Sequence, residues 1–142
     1  MTGYVVDASV AVKWLVAEAF SEQAAALLDG DLTLAAPELI FAEAGNALWA
    51  MCRRGDITSA DFAEAVGVLR TAPLAVPLPM KELAASAARL AVDLDHPVYD
   101  CFYLALAISQ QYPVVTADRR FFEVVARHPY LSDRIVHVEH LG

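Results

Sequence analysis

Short apolar runs rich in β-branched residues alternate along the chain with longer segments whose apolar positions recur every three or four residues. Thr2 to Ala8 reads as a buried strand, since Tyr4-Val5-Val6 is a β-rich run that ends on polar Asp7. Ser9 is placed to cap a helix through about Ala17, and a second helix spans Phe20 to Leu28 and stops at Asp29-Gly30. Leu32 to Ala36 is the next strand-like run. Pro37 suits a first helical position and opens a helix to Arg53-Arg54, with Gly55 as its stop. Residues 58–70 form another helix, with Thr58 and Asp61 near its start. Leu74 to Leu78 reads as a short or edge strand despite Pro73, Pro77 and Pro79. Lys81 to Leu94 is an Ala-rich helix, and Tyr99 to Ser109 is apolar almost all round, which marks a helix covered on more than one side. Tyr112 to Thr116 is a strand, Arg119 to Arg127 a helix, and Arg134 to Val138 a last short strand. Strands alternating with helices predict an α/β fold with a mostly parallel sheet covered on both faces. In such sheets, sites form beyond the carboxyl ends of the strands.

Composition narrows the class. A chain of 142 residues with no repeats or linkers is most simply one domain, residues 1–142, able to bury a core without staples. With 58% hydrophobic and 20% charged residues it is the reverse of a disordered sequence. Cys52 and Cys101 both fall in apolar runs, as small buried hydrophobes in a reducing compartment do. No span is long and apolar enough for a membrane helix, and Asp7 and Lys13 do not belong in a secretory leader, so a cytoplasmic protein is expected. The net charge of −8 argues against a broad basic face for nucleic acid.

Four acids stand where a crevice should form. Asp7 ends the first strand, with Ser9 two residues on, and Asp118 follows Val114-Val115-Thr116 in the same way. They share one crevice if those strands are neighbours. Glu43 lies within Leu39-Ile40-Phe41-Ala42-Glu43-Ala44, with no Lys or Arg three or four residues away, and Asn46 shares its face. Charges so placed are usually paired or metal-bound. Asp100 sits in the first turn of the apolar helix, where the helix dipole favours an anion. Taken singly, Asp100 and Asp118 could be ordinary helix-start acids, and Asp7 could cap the first helix with Ser9. The set carries the weight.

The segments Val5-Val6-Asp7-Ala8-Ser9-Val10 followed by Lys13-Trp14, Pro37-Glu38 through Glu43-x-x-Asn46, Tyr99-Asp100-x-x-Tyr103-Leu104-Ala105-Leu106-Ala107, and Thr116-Ala117-Asp118-x-x-Phe121 resemble the PIN domain. Among PIN domains the chain is most similar to the toxin ribonucleases of the VapBC toxin–antitoxin family. The resemblance spans essentially the whole chain. It implies a three-layer α/β/α sandwich with a roughly five-stranded sheet. It also implies an endoribonuclease whose acids at Asp7, Glu43, Asp100 and Asp118 form a metal site supported by Ser9, Asn46 and Thr116, and cleavage that leaves a 3′-hydroxyl and a 5′-phosphate.

The chemistry has its own logic. Carboxylates within about 6 Å of one another repel by roughly 3 kcal/mol per pair at an effective dielectric of about 20, and a divalent cation removes that conflict. All-oxygen ligands point to Mg²⁺ or Mn²⁺ rather than zinc. Such an ion acidifies bound water and neutralises charge on a phosphodiester. Asp7 and Asp100 would be the principal ligands, with Glu43 and Asp118 holding a second ion or orienting water. Candidate contacts to the RNA backbone are Arg53-Arg54 at a helix end, Arg119-Arg120 after Asp118, and above all Lys13, one turn beyond Ser9. His96, His128, His137 and His140 show no ligand spacing, and no catalytic role is expected of them.

The large apolar residues Trp14, Leu15, Val16, Phe20, Leu27, Leu28, Leu48, Trp49 and Met51 exceed what one small sheet face readily absorbs. They suggest a groove that forms a homodimer and receives a VapB-like antitoxin, whose cationic side chain could enter the acidic crevice. The rival reading is a non-catalytic PIN-like protein- or RNA-binding module. A phosphotransfer domain is disfavoured, because a dehalogenase-like phosphatase needs a second Asp where Ser9 stands and a receiver needs an acidic pair near the first strand. Half of the net charge of −8 is carried by the four crevice acids, so acidity is compatible with an RNA substrate.

Overall fold

Strand β1 (Gly3–Val6) is flanked on both sides by parallel partners: β2 (Thr33–Ala35), with Gly3 opposite Thr33, and β3 (Val114–Thr116), with Val5 opposite Val114. Strand β4 (Ile135–His137) pairs with the outer side of β3, giving a four-stranded parallel sheet in the order β2-β1-β3-β4. The computed structural model describes residues 2–141. Val5, Val6, Val114 and Val115 are fully buried, as expected of strands covered on both faces. Gly3 permits a close approach of β1 to β2. A Cβ there would lie 2.6 Å from the Thr33 carbonyl oxygen and 2.8 Å from the Tyr112 ring.

Helices make every crossover. α1 (Ala8–Leu15) and α2 (Ser21–Ala26) join β1 to β2. α3 (Leu39–Arg54), α4 (Ser59–Arg70), α5 (Met80–Leu94) and α6 (Val98–Gln110) join β2 to β3, and α7 (Arg119–Ala126) joins β3 to β4. These are seven helices among the described residues, and none is long and apolar enough to cross a membrane. α3 buries Ile40, Ala44 and Leu48, a single stripe at four-residue spacing, and ends at Gly55 with φ 84°. α4 opens with a capping box in which Thr58 and Asp61 satisfy each other's backbone N–H. α6 buries Cys101 and every residue from Tyr103 to Ala107, so it is covered on more than one side, as its sequence predicts.

Two expectations need correction. The fifth strand, Leu74 to Leu78, is a single parallel bridge between Ala75 and Ala35: Ala75 N–H donates to Leu34 O at 2.9 Å and Ala36 N–H to Ala75 O at 3.0 Å. In a parallel ladder the next donors toward β2 are two residues either side of Ala75, and both are proline, Pro73 and Pro77. Ser9 is not the cap of α1. The helix starts two residues earlier than a Ser9 cap would place it, with Asp7 at the N-cap position, and the Ser9 hydroxyl is used elsewhere.

The chain leaves β1 toward β2 on one side of the sheet and leaves β3 toward β4 on the other. The carboxyl ends of β1 and β3 therefore flank the topological switch point, where crevices form in open parallel sheets.

Candidate metal centre

Asp7 stands at the end of β1 and is 4% exposed. Its backbone N–H donates to Val115 O at 3.0 Å, continuing the β1–β3 ladder to the rim of the sheet. Its Oδ2 accepts from Ser9 Oγ at 2.5 Å and from Thr116 Oγ1 at 2.8 Å, which leaves Oδ1 with no protein donor. The same two hydroxyls also accept: Ser9 Oγ from Ala117 N–H at 2.9 Å and Thr116 Oγ1 from Asp118 N–H at 3.0 Å. The two hydroxyls fix the Asp7 rotamer and stitch the loop after β3 to the end of β1. Burial pushes the Asp7 carboxyl up to about 7; the Ser9 and Thr116 bonds oppose that rise, and Asp100 and Glu43 add to it.

Glu43 and Asp100 face Asp7 from α3 and α6. Burial raises the proton affinity of Glu43, the Tyr103 hydroxyl beside it lowers it, and Asp100 raises it further. Glu43 Oε1 and the Tyr103 hydroxyl are both buried, and neither reaches hydrogen-bond geometry with any partner. Asp100 is raised by burial, lowered by His96, and raised by Asp118. His96 Nε2 lies 2.7 Å from Asp100 Oδ2. Asp118 is the N-cap of α7, its Oδ1 accepting from Phe121 N–H at 3.1 Å, and its side chain is otherwise open to solvent. Asp7, Ser9, Glu43, Asp100 and Asp118 line one cavity of about 220 Å³.

The structure thus brings all four expected acids to one place, with Ser9 and Thr116 bonded to one of them. Asn46 differs: it is exposed, forms no hydrogen bond to Glu43, and lines an adjoining hollow of about 330 Å³ with Tyr99 and Glu43. The candidate RNA contacts are dispersed. Lys13 Nζ donates to Glu18 Oε1 at 3.1 Å and to Ala19 O at 2.7 Å, with its side chain only 8% exposed. Arg53 lies over the Trp49 ring at 5.5 Å, Arg54 pairs with Asp56, and Arg119 pairs with Glu139. Arg120 is exposed and, among the described residues, is held by no hydrogen bond or ion pair.

The residues match the PIN domain over 4–127, most of the chain. The chain belongs to the PIN domain family. PIN domains are generally metal-dependent nucleases, which supports a nuclease here. The structure is also similar to the crystal structure of PAE2754 from Pyrobaculum aerophilum, with 26% sequence identity and a TM-score of 0.68 over 99% of this chain and 86% of that one. No curated protein matches the chain in sequence.

A divalent cation is therefore the group to test against these PIN residues. No three His, Cys, Asp or Glu side chains among the described residues stand as a ready-made ligand set. The donor chemistry nonetheless fits. The acids offer only oxygen ligands, Asp7 Oδ1 has no protein donor, and Glu43 Oε1 is an orphaned buried acceptor. Burial, with a smaller contribution from the neighbouring acids, raises the proton affinity of three of the four, and a cation would offset both.

Sequence reading missed two neighbours of the acids, His96 and Tyr103. His96 is four residues before Asp100, across the Pro97 that begins the helix, and only that spacing hinted at it. Tyr103 looked like one more apolar position of α6. It is fully buried, with its hydroxyl turned to Glu43.

Proposed function

We propose that this chain is a metal-dependent endoribonuclease that hydrolyses RNA phosphodiester bonds and serves as the VapC-like toxin of a toxin–antitoxin pair in the cytoplasm, inhibiting translation and growth through tRNA, rRNA or mRNA. The observation that carries the reading is Asp7: a carboxyl buried at the switch point, pushed up to about 7, with Glu43 and Asp100 against it.

Asp7 and Asp100 would be the principal ligands of Mg²⁺ or Mn²⁺, with Glu43 and Asp118 binding a second ion or orienting the attacking water. When bound, the cation supplies charge neutralisation at the scissile phosphate and acidifies water. The chain's own residues do the positioning. Ser9 and Thr116 hold Asp7 by one oxygen and leave the other to the cavity. Asp118 spends Oδ1 on the α7 N-terminus, which keeps its second oxygen near the cavity rim.

Antitoxin binding and a homodimer belong to the same reading. A groove of about 450 Å³ between α1 and α4 is floored by Trp14, Leu15, Ile57 and Val68 and rimmed by Asp56, Asp61 and Glu64. Its character suits an amphipathic basic segment of an antitoxin. Of the large apolar residues singled out in the sequence, Leu27 and Leu48 are core, whereas Leu28 and Trp49 are 40% and 47% exposed and remain available to a second copy.

The test is cleavage of a mixed tRNA and rRNA pool by protein freed of any antitoxin. Mg²⁺-dependent cleavage that disappears with EDTA and in Asp7→Asn is expected. Undiminished cleavage by Asp7→Asn would overturn the site, and an inert wild type that still binds RNA would favour the non-catalytic module.

A further inference from the structure

His96 is a buried residue that lies outside the set of acids yet touches one of them. It is 7% exposed, and its backbone is fixed: α5 ends at Asp95 with φ 49°, and His96 N–H closes back onto Ala91 O at 3.1 Å. Its ring stacks on Phe121, with centroids 5.3 Å apart and planes 17° from parallel. Phe121 is itself fully buried in α7, and its backbone N–H donates to Asp118 Oδ1. On the other edge, Nε2 meets Asp100 Oδ2 at 2.7 Å. An ionised carboxylate only accepts, so Nε2 carries the hydrogen between them, while Nδ1 is buried with no partner among the described residues. A ring held this firmly with one nitrogen unsatisfied is oriented for the bond its other nitrogen makes.

The geometry points to His96 as a positioning residue: it donates to Asp100 Oδ2, leaves Oδ1 for a cation, and through its stack on Phe121 ties Asp100 to the helix that Asp118 caps. This rests on the reading of the acidic cavity as a divalent-cation site. The arrangement repeats at Asp100 what Ser9 and Thr116 do at Asp7, where the donors also fall on one oxygen only. Partners that orient ligating side chains commonly govern metal affinity. Two acids on different elements, α6 and the start of α7, would thus be aligned by one imidazole and one phenyl ring.

The test separates the donor from the ring. His96→Phe keeps an aromatic ring against Phe121 and deletes the donor, whereas His96→Gln keeps an N–H at similar reach and deletes the ring. Mn²⁺ is titrated into cation-free protein and free Mn²⁺ is read by electron paramagnetic resonance, with thermal unfolding of the same samples in EDTA. His96→Phe is expected to bind Mn²⁺ about 10–100-fold more weakly than wild type while unfolding at a similar temperature, and His96→Gln, with the donor but not the stack, to fall between the two. Should His96→Phe not fold, Phe121→Leu gives the second arm: it spares the donor but removes the stack, and weaker Mn²⁺ binding is expected. Wild-type affinity in His96→Phe, or in Phe121→Leu where that arm is needed, would overturn the positioning role alone. So would a loss in His96→Gln as large as that in His96→Phe. A wild type that binds no Mn²⁺ would overturn the metal site itself.

Discussion

Thr116 Oγ1 donates to Asp7 Oδ2 across 2.8 Å, joining residues 109 positions apart at the carboxyl ends of two neighbouring strands. The hydroxyl is fully buried and also accepts the Asp118 N–H, so a single oxygen aligns two of the four acids. Thr116→Val keeps the volume and loses both bonds. It should lower stability in EDTA by about 1–3 kcal/mol, because Asp118 N–H and Asp7 Oδ2 each lose a partner. Urea unfolding measures this, and a variant as stable as wild type would remove Thr116 from the site's support.

Stability without metal should fall as pH rises. The unfolded chain releases the Asp7 proton near 3.8, whereas the folded protein holds it to about 7. Between those values the folded state binds more protons, so each step up in pH costs stability, in total on the order of 4 kcal/mol from this group. Glu43 and Asp100 are raised as well and act in the same direction. In EDTA the urea midpoint should therefore decline from pH 5 to pH 8 in wild type and decline less in Asp7→Asn. A wild-type midpoint that climbs over this range would contradict the burial of an ionisable Asp7.

Much of this was legible in the sequence because apolar runs that stop on Asp7 and just before Asp118 mark strand ends directly. Whether those strands lie side by side was not, since adjacency depends on how four helices route the chain between β2 and β3. The fifth strand failed on donors rather than on propensity: Pro73 and Pro77 fall at the positions whose N–H groups would extend the ladder. Ser9 illustrates a different limit. A hydroxyl at a helix start can bond a backbone N–H or a nearby carboxylate, and the residue type is the same in both cases. Lys13 was placed correctly on α1, yet the chain turns back at Phe20, with φ 65°, and brings Glu18 and Ala19 O to its ammonium. His96 was legible as a partner only through its four-residue spacing from Asp100, because Pro97 between them breaks the apolar pattern of the helix.

The closeness of β1 to β2 makes Gly3 intolerant of a side chain. A Cβ at 2.6 Å from the Thr33 carbonyl oxygen meets backbone, which cannot swing aside. Gly3→Ala is expected to cost about 1–3 kcal/mol by forcing the strands apart. An unchanged melting temperature would show that β1 and β2 separate without loss.

Among the candidate cations, Arg120 should matter most for RNA. It follows Asp118 by two residues and has no partner among the described residues, whereas Arg54 is already engaged by Asp56, Arg119 by Glu139 and Lys13 by Glu18. Arg120→Ala should weaken binding of single-stranded RNA in an Asp7→Asn background, itself expected not to cleave, and reduce the salt slope of log K by about 0.7, the share of one phosphate contact. Arg54→Ala should change the slope less. Equal slopes in Arg120→Ala and its parent would place the RNA elsewhere.

Thermal unfolding at pH 8 with and without Mg²⁺ tests most directly whether a cation relieves the conflict among the buried acids. Wild type should gain stability as Mg²⁺ rises, by about 2.7 kcal/mol at a hundredfold excess over its dissociation constant. Asp7→Asn should be more stable than wild type in EDTA and gain little from the ion. Wild type that ignores both Mg²⁺ and Mn²⁺, or Asp7→Asn that responds as strongly as wild type, would contradict the metal centre.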